Sequence, residues 1–556
     1  MHQRRPILPG PVLELVSPAK QRSLTLEGHR GDWASTEFPR VARTPGFCLR
    51  QMLAGPTQLL VAALLLTMPS LAAAAERPAK EDDKPKVAKV PDASTPPSIS
   101  EHTIEVTGGR LSYTAEAAML PLINDDGTPR ANIFYVAYTV SSAAADRPII
   151  FCFNGGPGAS AVWLHLGGLG PKRALVNPDG SLPPPPFAVV PNRHTILPMA
   201  DLVFIDPVST GFSRAAEDEK PQQFYGKDPD IDAMAEFIRL YTTRRQRWRS
   251  PKYLCGESYG VFRAAGLAEK LQADYGMFLN GLILVSGLVD YGTILTGPTN
   301  DLPYSLFLPS FTAVAHAHGR LPPDLQADRD AAIAASRAFA AGDYVRALHA
   351  AATLPEDERQ AVANTLARLT GLTAKLALDH DLRISPSTFR KKLLADQQLI
   401  LGRFDGRITG RDGNPGGAAP SFDPSYDAAL GPLAAAMNAY VREDLGFESD
   451  LPYRVLTGVS PWPQDQNRYS NTAGQLASAM SRNPHLQVLV QVGLCDLAVP
   501  FLSLQHSIDH LGIDHTLRPN VTYAEYESGH MMYLRLEDLE KLHRDLQAFL
   551  AGVRIE

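Results

Sequence analysis

A catalytic serine is predicted by the pentapeptide Gly256-Glu257-Ser258-Tyr259-Gly260. In this G-x-S-x-G pattern a strand passes through a sharp turn into a helix, and the serine hydroxyl is exposed above the end of a sheet. Glycine at the two outer positions leaves room for a backbone that turns so tightly. Since a pattern this short also occurs by chance in glycine-serine turns, the flanking residues decide between the two interpretations.

The flanking residues supply the elements that the turn requires. Tyr253-Leu254-Cys255 is a short apolar run that predicts a strand. After the turn, apolar residues recur at helical spacing, namely Val261, Ala264, Ala268 and Leu271. The sequence therefore predicts a strand, a tight turn at Ser258 and a helix.

A base and an acid that would activate this serine occur further along the chain. A serine hydroxyl is a weak nucleophile until a base accepts its proton, and the base works best when a carboxylate orients it. In sheet enzymes with this turn the acid and the histidine follow the serine in that order. Asp496 and His530 each follow a predicted strand, so we expect both at the sheet edge that carries Ser258. Ser258, Asp496 and His530 are the predicted catalytic triad.

Two members of this triad have competitors. Asp290 follows an earlier predicted strand and is the alternative acid, whereas Asp496 has the alternative interpretation of a turn residue or helix cap. The alternative bases lie in a polar helical stretch, where exposure is expected: His506, His510 and His515. Ser258, Asp496 and His530 follow one another in the expected order, and each follows a predicted strand. This favours them over the competing residues.

A glycine-rich loop predicts the oxyanion hole. Attack on a carbonyl creates an oxyanion that needs backbone N–H donors fixed in advance. Asn154-Gly155-Gly156-Pro157-Gly158 follows a predicted strand, and its glycines allow the backbone to approach a ligand closely. We expect the N–H groups of Gly156 and Tyr259 to bind the oxyanion. The alternative is a flexible glycine turn.

The elements around these residues predict an α/β protein with a mostly parallel sheet. Short alternating segments come first and indicate antiparallel strands: 104–106, 111–113 and 131–140. Continuous apolar runs, typical of strands buried on both faces, follow at 149–153, 202–205, 252–255 and 282–285. An alanine-rich stretch, with helices expected at 323–341 and 355–369, then interrupts the alternation. The strand pattern resumes at 486–492 and 521–526, and a closing helix is expected over 536–553.

Composition and charge exclude several classes of function. The chain has 556 residues, 44% hydrophobic and 20% charged, with a net charge of −6. Loss of residues 1–75 would leave −10, which argues against nucleic acid as a partner because phosphate binding needs clustered cations. No metal-ligand spacing or phosphate-binding loop occurs, and Asp423 and Asp427 are expected to be solvated turn residues. We therefore expect no metal and no organic cofactor.

The cysteines do not predict a disulfide framework. Cys48 lies in the N-terminal region that we expect to be removed, which leaves Cys152, Cys255 and Cys495. Each ends a predicted strand, where a small buried side chain is expected, and an odd number cannot all pair.

Several sequence blocks together resemble the serine carboxypeptidase family. The blocks are Asn154-Gly155-Gly156-Pro157-Gly158-Ala159-Ser160, Asp206-Pro207-Val208-Ser209-Thr210-Gly211-Phe212-Ser213, Gly256-Glu257-Ser258-Tyr259-Gly260, Asp496, and Ser528-Gly529-His530-Met531. The resemblance implies an α/β-hydrolase fold in which Ser258, Asp496 and His530 form the triad. It also implies that Asn154 and Glu257 bind the terminal carboxylate of the substrate.

The chain departs from the pattern of that family at three positions. A second glutamate of the carboxylate site is replaced by Gly168, and the cysteine expected after Gly158 is Ala159, so a disulfide is lost. The tryptophan expected two residues before Asn154 is Cys152. These changes put an acidic pH optimum and strict exopeptidase activity in question. Two residues near the replaced glutamate, Trp163 and His165, have two interpretations, as lining of the substrate pocket or as core residues.

The N-terminal part of the chain resembles an export signal. Residues 59–66 are apolar and 69–75 supply small residues for signal peptidase, after which charged residues begin. The alternative is an internal apolar helix. Met52 is a candidate initiator, and the apolar run is too short to span a bilayer.

The predicted organisation has five ranges. Residues 1–75 form an extension and signal peptide, and 76–100 form a disordered linker. Residues 101–295 and 456–556 form the two parts of the α/β-hydrolase core, interrupted by a helical cap at 296–455.

The sequence thus predicts an exported serine carboxypeptidase, periplasmic or secreted, that acts on peptide or protein C-termini. Since Glu257 must be protonated to donate to a carboxylate, peptidase activity is expected to fall as the pH rises through its pKa. The alternatives are an esterase or acyltransferase on the same fold, or a non-catalytic binding protein. The sequence does not indicate the oligomeric state or the preferred C-terminal residue.

Overall fold

One mixed sheet organises residues 92–140 and 146–552, the residues that the computed structural model describes. In chain order its main strands are β1 Ser98–Val106, β2 Gly109–Ile123, β3 Pro129–Val140, β4 Ile149–Phe153, β5 Asp201–Ile205, β6 Lys252–Glu257, β7 Gly281–Val285, β8 Gln487–Gly493 and β9 Val521–Tyr526. Across the sheet the order is β1-β2-β3-β5-β4-β6-β7-β8-β9, and Arg214–Ala215 adds a short strand beside β3.

The sheet changes from antiparallel to parallel, as predicted. The pairs β1-β2, β2-β3 and β3-β5 are antiparallel, whereas all pairs from β5 to β9 are parallel. The chain passes from β4 to β5 on one side and later places β6 on the other side of β4. Such a reversal opens a crevice at the carboxyl ends of the neighbouring strands, where ligands of α/β proteins bind. The predicted oxyanion loop, residues 154–158, follows β4. The serine turn, residues 256–260, follows β6.

Helices cover both faces of the parallel strands. The helices of nine or more residues are α1 Lys227–Arg244, α2 Tyr259–Tyr275, α3 Leu302–Ala317, α4 Arg329–Phe339, α5 Glu356–Thr370, α6 Pro424–Glu443, α7 Ala473–Arg482, α8 Phe501–Asp509 and α9 Leu536–Leu550. Shorter helical segments are Val162–Leu164, His165–Leu169, Pro323–Gln326, Ala340–Tyr344, Val345–Ala350, Ala374–Asp379 and Pro386–Lys392. Among the helices of the described ranges, none combines the length and apolar character needed to cross a membrane.

Strand β4 illustrates why the central strands consist of consecutive apolar residues. Phe151 and Phe153 belong to the core that includes α1 and α2, whereas Ile150 and Cys152 belong to the core that includes α6 and α9. Since successive side chains point to opposite faces, a strand covered on both sides needs apolar residues throughout. The parallel sheet, the two helical layers and the serine turn after β6 make this an α/β-hydrolase fold, as predicted.

The structure differs from the sequence prediction at three points. Strand β1 begins at Ser98, inside the range 76–100 predicted to be a disordered linker, because Ser98 pairs with Ala117 of β2. The single helix expected over 323–341 is interrupted, since the Asp328 side chain accepts from two backbone N–H groups and caps α4 separately. A small antiparallel ladder, Leu399–Leu401 with Thr409–Arg411, lies in the range predicted to be mostly helical, where no strand was predicted.

The other domain predictions remain open. The range 296–455 is mostly helical, and its role as a cap stays a prediction. The predicted signal peptide and most of the predicted linker lie outside the described residues.

Candidate active site

Ser258 occupies the turn between β6 and α2. Its backbone has φ 61° and ψ −126°, a conformation that residues other than glycine rarely adopt and that costs about 1–3 kcal/mol. The Ser258 N–H donates to the carbonyl of Val285 at 3.0 Å, which ties the turn to the neighbouring parallel strand β7. The surrounding sheet thus holds the serine in the strained conformation that the pentapeptide predicts.

Glycine is required where the oxyanion loop meets this turn. A Cβ atom on Gly155 would lie 2.3 Å from the backbone nitrogen of Tyr259, and one on Gly256 would lie 2.1 Å from the carbonyl oxygen of Gly260. No real Cβ atom approaches backbone so closely. The two loops therefore pack main chain against main chain, which brings the Gly156 and Tyr259 amides to the same cavity.

His530 and Asp496 form a buried hydrogen-bonded pair. The Nδ1 atom of His530 lies 2.6 Å from Oδ2 of Asp496, and both residues are almost fully buried. The other carboxylate oxygen, Oδ1, accepts from the backbone N–H groups of Ala498 at 2.7 Å and Val499 at 3.0 Å. These turn contacts fix the carboxylate so that Oδ2 faces the imidazole.

Both members of the pair have a pKa above the ordinary value, for different reasons. Burial raises the pKa of Asp496, and the interaction with His530 opposes that shift. For His530, burial alone lowers the pKa, but the attraction of Asp496 outweighs it, so the net pKa is above its ordinary value. An imidazole stabilised in its charged form by a carboxylate can accept a proton from a serine hydroxyl during catalysis.

One cavity of about 490 Å³ brings together six of the seven predicted site residues. Its lining includes Asn154, Gly156, Glu257, Ser258, Tyr259 and His530. Asp496 lies behind His530 and reaches the cavity through the imidazole. The roles of these residues stay predictions.

The competing residues lie elsewhere. The Asp290 carboxylate accepts from the Gly292 N–H at 2.7 Å and caps a short helical turn. His510 and His515 are exposed, and His506 stacks on His510. The structure thus joins His530 to Asp496 and gives Asp290 a local capping role.

The oxyanion loop and the helix start present backbone donors. Gly156 has φ 98°, which favours glycine, and Gly155 accepts from Ala159 N–H at 3.1 Å, so the loop folds into a tight turn. Tyr259 is the first residue of α2, and the first N–H groups of an α-helix have no intrahelical acceptor. These two amides are therefore suited to bind an oxyanion.

Glu257 and Asn154 form a buried polar group beside the serine. Burial raises the pKa of Glu257 to about 7, against the opposing effects of His530, Tyr533 and Asn154. The Asn154 Oδ1 atom accepts from the Leu164 N–H at 3.1 Å, which directs its amide NH2 away from that helix. A neutral Glu257 carboxyl and this NH2 group are both donors that suit a carboxylate ligand.

Asn154 is also held from the opposite side by a buried ion pair. Arg263 of α2 donates to the Asn154 carbonyl at 2.6 Å and makes two hydrogen bonds with Asp230, at 2.8 and 3.0 Å. Because both charged groups are buried, the pair fixes the loop and the helix in one arrangement.

The sequence prediction missed three residues that shape the site. Tyr533 donates its hydroxyl hydrogen to Oε2 of Glu257 at 2.7 Å. Arg403 and Phe404, from the predicted cap, line the cavity, and the Phe404 ring lies 5.1 Å from the His530 ring. None of the three stands in a recognisable motif, so no sequence pattern could have identified them.

Residues 403–406 are hydrogen-bonded to both catalytic loops. The His530 N–H donates to the Phe404 carbonyl at 2.6 Å, and the Leu497 N–H donates to the Arg403 carbonyl at 3.0 Å. The Gly406 N–H donates to the Cys495 carbonyl at 2.9 Å. This short segment thus supports the backbone on either side of the acid and the base.

The two residues with open interpretations have different positions. Trp163 lines the cavity, whereas His165 lies in the core with its Nε2 atom 2.6 Å from the Tyr138 hydroxyl. Burial lowers the pKa of His165 to about 3, so it is a neutral core residue. The three cysteines at 152, 255 and 495 are free and buried, as predicted.

Parts of this chain are similar in sequence to known proteins. Residues 122–295 match the family described as serine carboxypeptidase. The lysosomal protective protein of Mus musculus is 29% identical over 152 residues, which cover 26% of this chain and 29% of that protein. The pheromone-processing carboxypeptidase KEX1 of Saccharomyces cerevisiae is 31% identical over 164 residues, which cover 28% of this chain and 19% of KEX1.

The similarity covers only part of each relative. The chain spans 31% of the serine carboxypeptidase-like 51 protein of Arabidopsis thaliana, at 27% identity over 154 residues that cover 25% of this chain. Among solved structures, proline iminopeptidase of Mycobacterium smegmatis has 13% identity and a TM-score of 0.35, over 78% of this chain and 98% of that chain.

The matched segment contains the glycine loop, Asn154, Glu257 and the Ser258 turn. Two of the three relatives described above are named as a carboxypeptidase or as carboxypeptidase-like. Residues 122–295 of this chain are thus similar to the serine carboxypeptidase family.

Proposed function

We propose that this chain is a serine-type carboxypeptidase, which releases C-terminal residues from peptides through an acyl-enzyme on Ser258. The observation that carries the proposal is the shared cavity, which holds a serine nucleophile beside two donors suited to a carboxylate, Asn154 and Glu257. An enzyme that cuts only at a chain end needs both features within one residue length of each other.

In the proposed mechanism, Ser258 attacks the last peptide bond of the substrate. His530 accepts the serine proton, and Asp496 stabilises the imidazolium that forms. The oxyanion binds the N–H groups of Gly156 and Tyr259. His530 then donates its proton to the departing amino group, which releases the C-terminal residue. Water attacks the acyl-enzyme in a second round with the same proton transfers.

The substrate carboxylate would be held by Asn154 and Glu257. A carboxylate brought beside an ionised Glu257 would meet a like charge in a buried site, so binding requires the protonated carboxyl. The pKa of Glu257, which burial raises to about 7, makes that form available in neutral and acidic solution. The protonated carboxyl and the Asn154 amide would each donate to one oxygen of the substrate.

Mass spectrometry of peptide products tests the proposal. The purified protein is incubated with a mixed peptide library in two forms, with free and with amidated C-termini. We expect single residues to be lost from the free-acid peptides and the amidated peptides to remain largely intact. Equal cleavage of both forms would instead favour an esterase or acyltransferase with no carboxylate requirement.

Active-site labelling separates an enzyme from a binding protein. A fluorophosphonate is expected to label the wild-type protein and to fail on Ser258→Ala, with unchanged thermal unfolding in the variant as the control. Absence of label on folded wild-type protein would support a non-catalytic function.

We also propose that the protein is exported to the periplasm or secreted. Support comes from the apolar run at 59–66 followed by small residues at 69–75, and from the lysosomal relative, whose name refers to a compartment reached by export. N-terminal sequencing of the mature protein from fractionated cells tests this, with a start near residue 76 expected. A mature protein in the cytoplasm that retains residues 59–75 would refute export.

A further inference from the structure

Tyr533 lies beside Glu257 and fills the space above Gly168, the sequence position at which the family pattern has a second glutamate. Its hydroxyl donates to Oε2 of Glu257 at 2.7 Å, and its ring is almost fully buried. It lies in the short helical turn Met532–Leu534, directly after the loop that carries His530. The carboxyl beside the nucleophile is thus bonded to a residue from the loop of the catalytic base.

Two glycines make room for this tyrosine. A Cβ atom on Gly168 would lie 2.5 Å from the Tyr533 Cβ, and one on Gly167 would lie 2.4 Å from its Cε2. Any side chain at position 168 would therefore compete with Tyr533 for the same space. The glycine that replaces the family glutamate and the tyrosine at 533 form one exchange, in which a phenol substitutes for a carboxyl.

We propose that Tyr533 is the positioning residue of the carboxylate-binding site, which orients Glu257 and sets the pH range in which it accepts a peptide carboxylate. This inference rests on the proposed function. The Tyr533 hydroxyl engages Oε2 of Glu257 and leaves Oε1 as the oxygen that carries the proton toward the substrate. No proton is transferred between the two residues, because the phenol remains protonated throughout.

The geometry has an electrostatic consequence. A hydroxyl that donates to a carboxyl group stabilises its ionised form more than its neutral form, so it lowers the pKa of Glu257. The other groups that face Glu257 are His530, Asn154 and Asp496, of which the first two also lower its pKa and the last raises it. Burial raises the pKa of Tyr533 well above its ordinary value, so the phenol keeps its proton. The family arrangement would hold two acidic groups here, whereas this chain holds one.

The variant Tyr533→Phe tests the inference because it removes the hydroxyl and keeps the ring that fills the space above Gly168. At pH 6 we expect the KM for a free-acid peptide to rise about fivefold, with kcat changed less than about twofold, since the loss of one hydrogen bond weakens orientation. The alkaline midpoint of kcat/KM is expected to move up by about one pH unit, because the ionised carboxyl loses a donor. A role in packing alone would not move that midpoint.

Two controls make the result specific. An ester substrate with no carboxylate is expected to show the same kinetics with wild type and Tyr533→Phe. In a Glu257→Gln background, which has no group to titrate at that position, Tyr533→Phe is expected to cause no shift of the midpoint. An unchanged midpoint in the single variant, or an equal shift in the Glu257→Gln background, would overturn the inference.

A substrate-free measurement distinguishes this inference from the proposed function. A buried carboxyl with a raised pKa makes the folded state less stable as the pH rises from its unfolded to its folded pKa. The decline in melting temperature of Tyr533→Phe should therefore extend about one pH unit higher than that of wild type, and this difference should vanish when Glu257 is Gln. If the wild type cleaves no peptide but this shift is found, only the proposed function fails. If peptides are cleaved but neither shift appears, only the role of Tyr533 fails.

Discussion

The Nδ1 atom of His530 lies 2.6 Å from Oδ2 of Asp496, while Oδ1 of the same carboxylate is held by two backbone amides. Oδ1 therefore stabilises the loop after β8, and Oδ2 orients the imidazole of His530. This division explains why the acid follows its strand directly, since the turn after β8 supplies the amides.

Replacement of the acid should impair catalysis without unfolding the site. In Asp496→Asn we expect kcat to fall by about 10³–10⁴-fold, because an amide NH2 facing Nδ1 favours the wrong imidazole tautomer. Steady-state kinetics on a free-acid peptide measure the effect. The matched control is Asp290→Asn, expected to change kcat less than twofold. A comparable loss in both variants would contradict the assignment of the acid.

The pH dependence should differ between peptides and esters. His530 acts as a base only when neutral, so both activities fall as the pH drops through its pKa, which lies above the ordinary value. Peptide cleavage should also fall as the pH rises through about 7, where Glu257 ionises, whereas ester cleavage should not. Profiles of kcat/KM from pH 5 to 9 measure this.

Glu257→Gln should abolish the alkaline decline for peptides. The amide does not ionise and still donates a hydrogen bond, so we expect peptide kcat/KM to be about 3–10-fold lower at pH 6 but flat above neutrality. An alkaline decline that survives in this variant would assign the titration to another group.

A methyl group on Gly155 should block the oxyanion site. Its Cβ would lie 2.3 Å from the Tyr259 nitrogen, so the loop has to move away from the helix start. We expect Gly155→Ala to lower kcat by at least about 10²-fold for peptides and esters alike. The control is Gly474→Ala, where an added Cβ has nothing within 4 Å and activity should not change. Wild-type kcat in Gly155→Ala would show that the close approach is not required.

Asp206 should make stability depend on pH. Its Oδ1 accepts from Ala161 N–H at 2.8 Å and from the Tyr453 hydroxyl at 3.2 Å, while Oδ2 has no partner among the described residues. Burial raises its pKa to about 7 from 3.8, so the folded state binds more protons than the unfolded state between those values. The stabilisation from the neutral carboxyl is therefore present below pH 3.8 and is lost as the pH rises to about 7.

Asp206→Asn removes this titration. The wild type is expected to lose on the order of 4 kcal/mol of unfolding free energy from this group between those pH values, as an upper limit. The variant should show a smaller decline when denaturant unfolding is followed from pH 4 to pH 8. Parallel curves for the two proteins would show that Asp206 is already charged in the folded state over this pH range.

The sequence predicted those parts of the molecule whose structure is determined by residues close together in the chain. The apolar run at 282–285 became β7, Gly281–Val285, because a strand covered on both faces requires apolar residues at every position. The serine turn was predictable for a similar reason, since a Cβ atom on Gly256 would lie 2.1 Å from the carbonyl oxygen of Gly260 and the turn therefore requires glycine. In both cases the physical constraint acts within a few consecutive residues.

Other features depend on contacts between distant segments. Tyr533 bonds to Glu257 and fills the space beside Gly168, yet nothing in its own neighbours distinguishes it from a core tyrosine. The helix Pro323–Gln326 is separate from α4 because the Asp328 side chain caps α4. The sequence on either side of Asp328 is alanine-rich and has helical periodicity, so the pattern does not indicate this break. Phe404 reaches His530 only because the inserted segment folds back onto the sheet edge.

The hydrogen bonds of residues 403–406 to the loops of Asp496 and His530 limit how this protein can be re-engineered. Exchange of the whole range 296–455 for the corresponding segment of another hydrolase would also remove the acceptor for the His530 amide and the partners of Cys495 and Leu497. Grafts that aim at a new substrate preference should therefore retain this tetrapeptide and vary only the helices around it.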